Sequence, residues 1–113
     1  MPNETLICDL VFKALAHPAR RAVIEQLSRG DASMTELAEP ANMALPSFLQ
    51  HLKVLEEAGL IESEKVGRTR TYQLNPERLI MTEHWMDKHH KLWVNRLNQL
   101  DHFLLSQKEQ QSK

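Results

Sequence analysis

The chain holds a single cysteine, Cys8. An internal disulfide is therefore excluded, and the thiol is either idle or open to an intermolecular bridge, which suits a reducing compartment. No apolar run approaches the roughly 18 residues that a membrane span requires, and Met1 to Leu10 lacks the basic-then-apolar layout of a signal segment. The expectation is a cytoplasmic protein with no membrane partner. Only three glycines are present, each at a turn or helix end, so no phosphate-cradling loop is available. No nucleophile and base pair in a recognisable spacing, which argues against an enzyme and against a cofactor. Charge of either sign is also scarce in excess: 14 basic residues stand against 15 acidic ones, for a net charge of −1. That balance excludes a uniformly basic nucleic-acid coat, so any field directed at DNA has to be local.

What is present is periodic. At 113 residues the chain suits one domain with a modest core. Leu6, Ile7, Leu10, Val11 and Ala14 recur at helical spacing, and the helix should stop near His17, because Pro18 disfavours helix in the residue before it. Pro18 then opens a second helix to about Ser28, followed by a turn through Asp31, Ala32 and Ser33. Thr35 to Ala38 reads as a short third helix ended by Pro40 and Asn42. The fourth, Leu45 to Ala58, has Pro46 in its first turn and Gly59 just past its end, so both boundaries are signalled by local chemistry. At about 100° per residue, Phe48, Leu52 and Leu55 share its apolar face with Leu49 at the edge, toward the core, while Ser47, Gln50, Lys53 and Glu57 lie opposite. The β-prone segments Leu60 to Val66 and Thr69 to Leu74 flank Gly67 and Arg68, a tight-turn pair that predicts a hairpin with a basic tip. Pro76 starts a long helix, about Glu77 to Leu105, striped by Met86, Trp93, Leu97, Leu100 and Leu104. The expected architecture is mainly α with a small β-hairpin: five helices and a two-stranded wing. One domain over 1–105 and a polar, frayed and disordered tail over 106–113 complete the layout.

The LFKALAHPARR-type residues at Val11 to Arg21, the HLKVLEEAGLI run at His51 to Ile61 and the VGRTRTYQL run at Val66 to Leu74 occur in the order and spacing of a known family. On them the chain resembles the ArsR/SmtB family of winged helix-turn-helix transcriptional regulators, over nearly its whole length. It is most similar to the branch without metal-binding cysteines, in which a long last helix carries paired tryptophans like Trp85 and Trp93. The resemblance implies a homodimer that binds an inverted-repeat, palindromic operator in double-stranded DNA and usually represses. Two positions depart from the family. Ala44 stands where many relatives have a capping Ser or Thr, and Leu49 where many have a small hydroxyl residue.

In that setting the outward residues acquire roles. Gln50 suits bidentate pairing with adenine, and Ser47 suits a base edge or a phosphate. Lys53, Lys65, Arg68 and Arg70 suit phosphates, with Arg68 at the wing tip also suited to a minor groove. His51, at the border of the apolar face, suits either a phosphate or packing, and the sequence does not choose. Of Arg20 and Arg21, one should serve structure and the other phosphate; which is which stays open. Leu6 and Leu10 of the first helix, with Trp85, Trp93, Leu97, Leu100 and Leu104 of the last, are the expected dimer interface.

Two rival readings share the fold. The first is a metal-sensing repressor, prompted by His84, His89, His90 and His102 with Asp87 and Asp101 on the last helix. Metal-sensing relatives carry Asp-x-His there and complete the site across the dimer; Asp87 and His89 match, but Leu100 and Phe103 occupy the second half, and no Cys-x-Cys pair exists. Solvated helix histidines are therefore expected, and no metal. The second rival is a winged-helix protein-interaction module, against which the cationic wing argues. The inducer is not encoded in any feature of the sequence.

Overall fold

The structure, a computed structural model, describes residues 3–111. Helix α1 (Glu4–Leu15) starts at Asn3, whose side chain accepts from the Leu6 amide at 2.8 Å. It ends two residues before His17, which leaves that histidine free to cap α2 (Pro18–Leu27). Helix α3 (Met34–Ala38) begins with a reciprocal capping box: the Glu36 amide donates to Ser33 Oγ and the Ser33 amide donates to Glu36 Oε1, both at 3.2 Å. A 3-10 turn over Glu39–Ala41 follows, and Asn42 takes a left-handed conformation before α4 (Leu45–Glu57).

Strand β1 (Ala32–Ser33) precedes α3, and β2 (Ile61–Val66) and β3 (Thr69–Leu74) form the hairpin. The sheet is antiparallel in the order β1-β3-β2, with Ala32 opposite Tyr72 and Ser33 opposite Thr71. The two-stranded wing expected from sequence thus gains a third strand, short and distant in sequence, from residues read as a turn. Its pairing fixes the start of α3 to the base of the wing. Between β2 and β3, Gly67 (φ 63°) and Arg68 make a two-residue connection, and Gly67 supplies the positive φ that the twist of a tight hairpin demands.

Val11, Val23, Leu27, Leu37, Phe48, Leu52, Leu55, Leu60, Ile61 and Tyr72 pack into one core between α1, α2, α3, α4 and the sheet. Phe48, Leu52 and Leu55 come from one face of α4, so truncating any of them to alanine should cost about 2–5 kcal/mol, and the helix is held by that face. Cys8 is buried in a free state beside this core. Leu49 does not join it. It is 41% exposed, which corrects its expected place toward the core: about 100° of rotation separates it from Phe48, and the neighbouring elements reach only the Phe48 side.

Helix α5 (Glu77–Gln111) runs six residues past the expected end at Leu105, so the polar segment after it is helical as far as Gln111; residues 112 and 113 lie outside the described residues. Glutamine, glutamate and lysine are good helix formers. The segment expected as one domain divides between Thr82 and Glu83 into two compact units, the second being the remainder of α5. Its leucines at 92, 97, 100, 104 and 105 are exposed. No helix among the described residues is long and apolar enough to cross a membrane.

Candidate nucleic-acid interface

Helices α2, α3 and α4 place α4 at the surface with its apolar side down. Its upper side carries Ser47, Gln50 and Lys53, all exposed, so three of the four candidate DNA contacts on this helix share the solvent-facing arc, and the fourth, His51, is half-buried. The N-terminus of α4 is uncapped: Ala44 has the extended backbone of a cap residue but no side-chain acceptor. A missing cap of this kind forfeits about 1 kcal/mol and leaves the Leu45 and Ser47 amides without a side-chain acceptor, Pro46 having no N–H, at a helix end where an anion is favoured. No acidic residue stands in that first turn.

The charges of the wing are sorted by face. Lys65 lies directly opposite Arg70, and Ser63 opposite Tyr72, so the two cations share the face that is buried further down by Tyr72. Arg70 Nη1 donates to Ser63 Oγ at 2.8 Å, which holds its guanidinium on that side. Glu62 and Glu64 alternate onto the other face, where Gln73 and Asn75 donate to Glu62 at 3.3 and 3.2 Å. Like charges placed directly opposite each other repel, so the Lys65 and Arg70 pair is an arrangement that a bound anion would relieve. Arg68 sits exposed at the tip.

His51, Arg20 and His17 meet where α2 starts. The His17 and His51 rings are 4.2 Å apart, and the Ala19 amide donates to His17 Nδ1 at 3.0 Å. Burial, then the nearby charges of His17 and Arg20, hold the His51 imidazole below its ordinary pKa. Arg20 Nε is buried without a hydrogen-bond partner. Arg21 instead donates from Nη1 to the Leu15 carbonyl at 2.7 Å, closing the C-terminal end of α1. The two arginines are thus distinguished: Arg21 is committed to a helix end and Arg20 leans toward α4. His17 was missed by sequence reasoning; its signal is a side-chain acceptor placed just before a proline that opens a helix. At the far end of α4, Arg78 Nη1 donates to the Ala58 carbonyl at 2.9 Å, another cap that periodicity does not reveal.

On α5, His84, His90 and His102 are exposed, whereas His89 is half-buried. Its ring stacks on Trp93 at 5.9 Å and lies 4.8 Å from Trp85. His89 is therefore part of an aromatic cluster and not a plain solvated histidine, which corrects the expectation for this one residue. Among the described residues, no three His, Cys, Asp or Glu side chains converge as metal ligands do. Leu6, Leu10, Trp93, Leu97, Leu100 and Leu104 are exposed and Trp85 is half-buried.

Residues 15–64, from the end of α1 through α4 into β2, match the model of a helix-turn-helix domain family. The chain is 41% identical over 71 residues to the HTH-type transcriptional regulator Rv2034 of Mycobacterium tuberculosis, covering 63% of this chain and 66% of that one. It is 36% identical over 76 residues to the transcriptional repressor SdpR of Bacillus subtilis, covering 67% of this chain and 84% of the relative. A crystal structure of an ArsR family transcriptional regulator superposes with a TM-score of 0.75 at 43% identity, covering 82% of this chain and 96% of that one. The chain belongs to the ArsR family. As an ArsR-family member it is a DNA-binding transcriptional regulator with a winged helix-turn-helix fold, not an enzyme. In family terms α3 and α4 are the helix-turn-helix and the hairpin is the wing.

Proposed function

We propose that this ArsR-family regulator is a cytoplasmic homodimeric repressor of a palindromic operator. Each protomer lays the N-terminal half of α4 into a major groove and its wing along the flanking backbone. The observation that carries this reading is the directly opposed Lys65 and Arg70 on one face of a wing whose acidic residues are confined to the other. Such sorting suits a phosphate backbone and argues against a protein-interaction module. Gln50 is assigned to a base edge, Ser47 to a base edge or phosphate, and Lys53, Lys65, Arg68 and Arg70 to phosphates. Arg20 takes the phosphate role and Arg21 the structural one, since only Arg21 has its guanidinium spent on a backbone carbonyl. His51 packs against His17 and offers its remaining edge to the backbone.

Dimerisation is supported by large apolar side chains that stay exposed in the protomer: Leu6 and Leu10 on α1, and Trp93, Leu97, Leu100 and Leu104 on α5. A soluble monomer rarely leaves so many large apolar groups in water. A two-fold dimer requires half-sites related by the same symmetry, about one or two helical turns or roughly 10 to 20 base pairs apart. The test is an electrophoretic shift with DNA upstream of the chain's own gene, repeated across salt concentrations. Specific retention with a steep salt dependence is expected; equal and weak retention of all duplexes overturns the operator assignment.

A further inference from the structure

Leu45 and Leu49 are one helical turn apart on α4 and are 48% and 41% exposed. Both stand in the helix's first two turns, the part that contacts base edges when a helix enters a groove. Leu49 has Gln50 beside it in sequence and Lys53 one turn further on, both exposed. Burying a leucine side chain fully is worth about 1.5–3 kcal/mol. That gain is forgone here although Phe48, Leu52 and Leu55 of the same helix are completely covered.

We propose that Leu49 is a specificity-determining residue that packs on the C5-methyl group of a thymine next to the adenine taken by Gln50. The inference rests on the placement of α4 in the major groove. A leucine offers neither donor nor acceptor, so it cannot distinguish base edges by hydrogen bonding. The thymine methyl is the one apolar group displayed on the major-groove floor. Charge decides between this occupant and a second protein. The N-terminal half of α4 has an uncapped terminus and no acidic residue, and Lys53 follows just past its middle, whereas Glu56 and Glu57 lie about two turns beyond Leu49, at the end that would stay outside the groove. Leu49 is thus on the half of the helix that a polyanion approaches most easily. Consecutive residues project about 100° apart, so Leu49 and Gln50 address the same or adjacent base pairs, and each half-site should contain a paired adenine and thymine signal. Leu45 flanks this contact at the groove edge.

The test uses the full-length chain. Duplexes are first selected from a random library, and each thymine of the selected site is then replaced in turn by deoxyuridine, which deletes the methyl and leaves every hydrogen bond intact. One or two thymines per half-site should show a roughly three- to tenfold loss of affinity on replacement, the scale of one buried methyl contact. The same replacements should have no effect on Leu49→Ala, whose own affinity for the uracil-containing site should match that of the parent chain. An exposed leucine exchanged for the best helix former leaves the fold intact, which circular dichroism checks. Indifference of the parent chain to every uracil, or equal losses in Leu49→Ala, overturns the methyl contact while leaving operator binding in place. A change in oligomeric state of Leu49→Ala assigns the residue to a protein contact and also overturns it. Enrichment of no sequence at all removes the α4 reading together with the inference.

Discussion

The imidazoles of His17 and His51 lie 4.2 Å apart with their planes tilted by 39°, joining the first residue before α2 to the middle of α4. His17 Nδ1 is occupied as an acceptor for the Ala19 amide, so its ring carries its proton on Nε2. The His51 ring, with His17 and Arg20 beside it, links the seating of α4 to protonation.

A pH dependence follows with a definite sign. Burial first, then His17 and Arg20, depress the His51 pKa in the folded chain below the ordinary 6.5. The unfolded chain then binds the proton more readily than the folded one, so this contribution to stability is complete above about pH 6.5 and is lost as pH falls through the folded value. Thermal melts at fixed concentration should show the parent chain losing stability between pH 7 and 5 relative to His51→Gln. His17→Asn, which keeps a capping acceptor and removes the imidazole that faces His51, should lose less than the parent. Identical pH profiles for all three would refute the coupling.

Local chemistry was readable where one or two residues decide an outcome. Pro46 and Gly59 bound α4, and Gly67 with Arg68 turns the hairpin, because their backbone preferences act without help from afar. Pairing of Ala32 and Ser33 with Tyr72 and Thr71 was not readable, since two residues carry no periodicity and their partners are about 40 positions away. Leu49 was misplaced because helical phase puts it at the edge of the apolar face; only the arrangement of α1, α2 and the sheet decides how far around α4 the covered arc extends. His17 as cap, Arg78 over Ala58 and the separate commitments of Arg20 and Arg21 likewise depend on which helix ends meet.

Gly59 illustrates a position closed on two counts. Its φ is +75°, and an added Cβ would stand 2.9 Å from Cδ, Nε and Cζ of Arg78, whose Nη1 is anchored on the Ala58 carbonyl. Gly59→Ala should destabilise by about 1–3 kcal/mol, combining the left-handed penalty with displacement of that cap. In an Arg78→Ala background the same substitution should be less harmful, because the crowding is gone. A double-mutant cycle in urea measures the coupling, and strict additivity would show that Arg78 plays no part.

DNA-contact energy should divide between reading and positioning. Gln50→Ala should cost roughly 1 to 3 kcal/mol on the selected site and little on unrelated duplexes. Arg68→Ala should weaken binding to all sequences alike and lower the salt slope by about one. Filter binding at several salt concentrations separates the two. An unchanged ratio of cognate to unrelated affinity in Gln50→Ala would remove α4 as the reader.

Assembly can be tested on α5, where Leu97 is 62% exposed in the protomer and Trp93 47%. A glutamate at position 97 would place a charge in the proposed interface, so Leu97→Glu should be monomeric or insoluble, with at most half-site affinity remaining. Sedimentation at micromolar concentration provides the measurement. A parent chain that sediments as a monomer without DNA contradicts the homodimer.

Metals should not switch this regulator. A zinc site wants four convergent ligands, and a cross-dimer site of the kind metal-sensing relatives use would draw Asp87 and His89 from one protomer but Leu100 and Phe103 from the other. His89 is moreover engaged in the stack with Trp93, so ligation would have to disturb an aromatic contact. Exposed His84, His90 and His102 can collect stray ions weakly, yet a ligand that binds the DNA-free and DNA-bound forms equally cannot move the equilibrium between them, however tightly it attaches. Operator affinity should therefore stay within a few fold when zinc, nickel or cobalt is added or chelated, and tryptophan emission from the Trp85 and Trp93 pair should follow it. A tenfold loss of affinity with stoichiometric zinc, reversed by a chelator and abolished by His89→Ala, would establish a sensor site that the ligand pattern in this helix argues against.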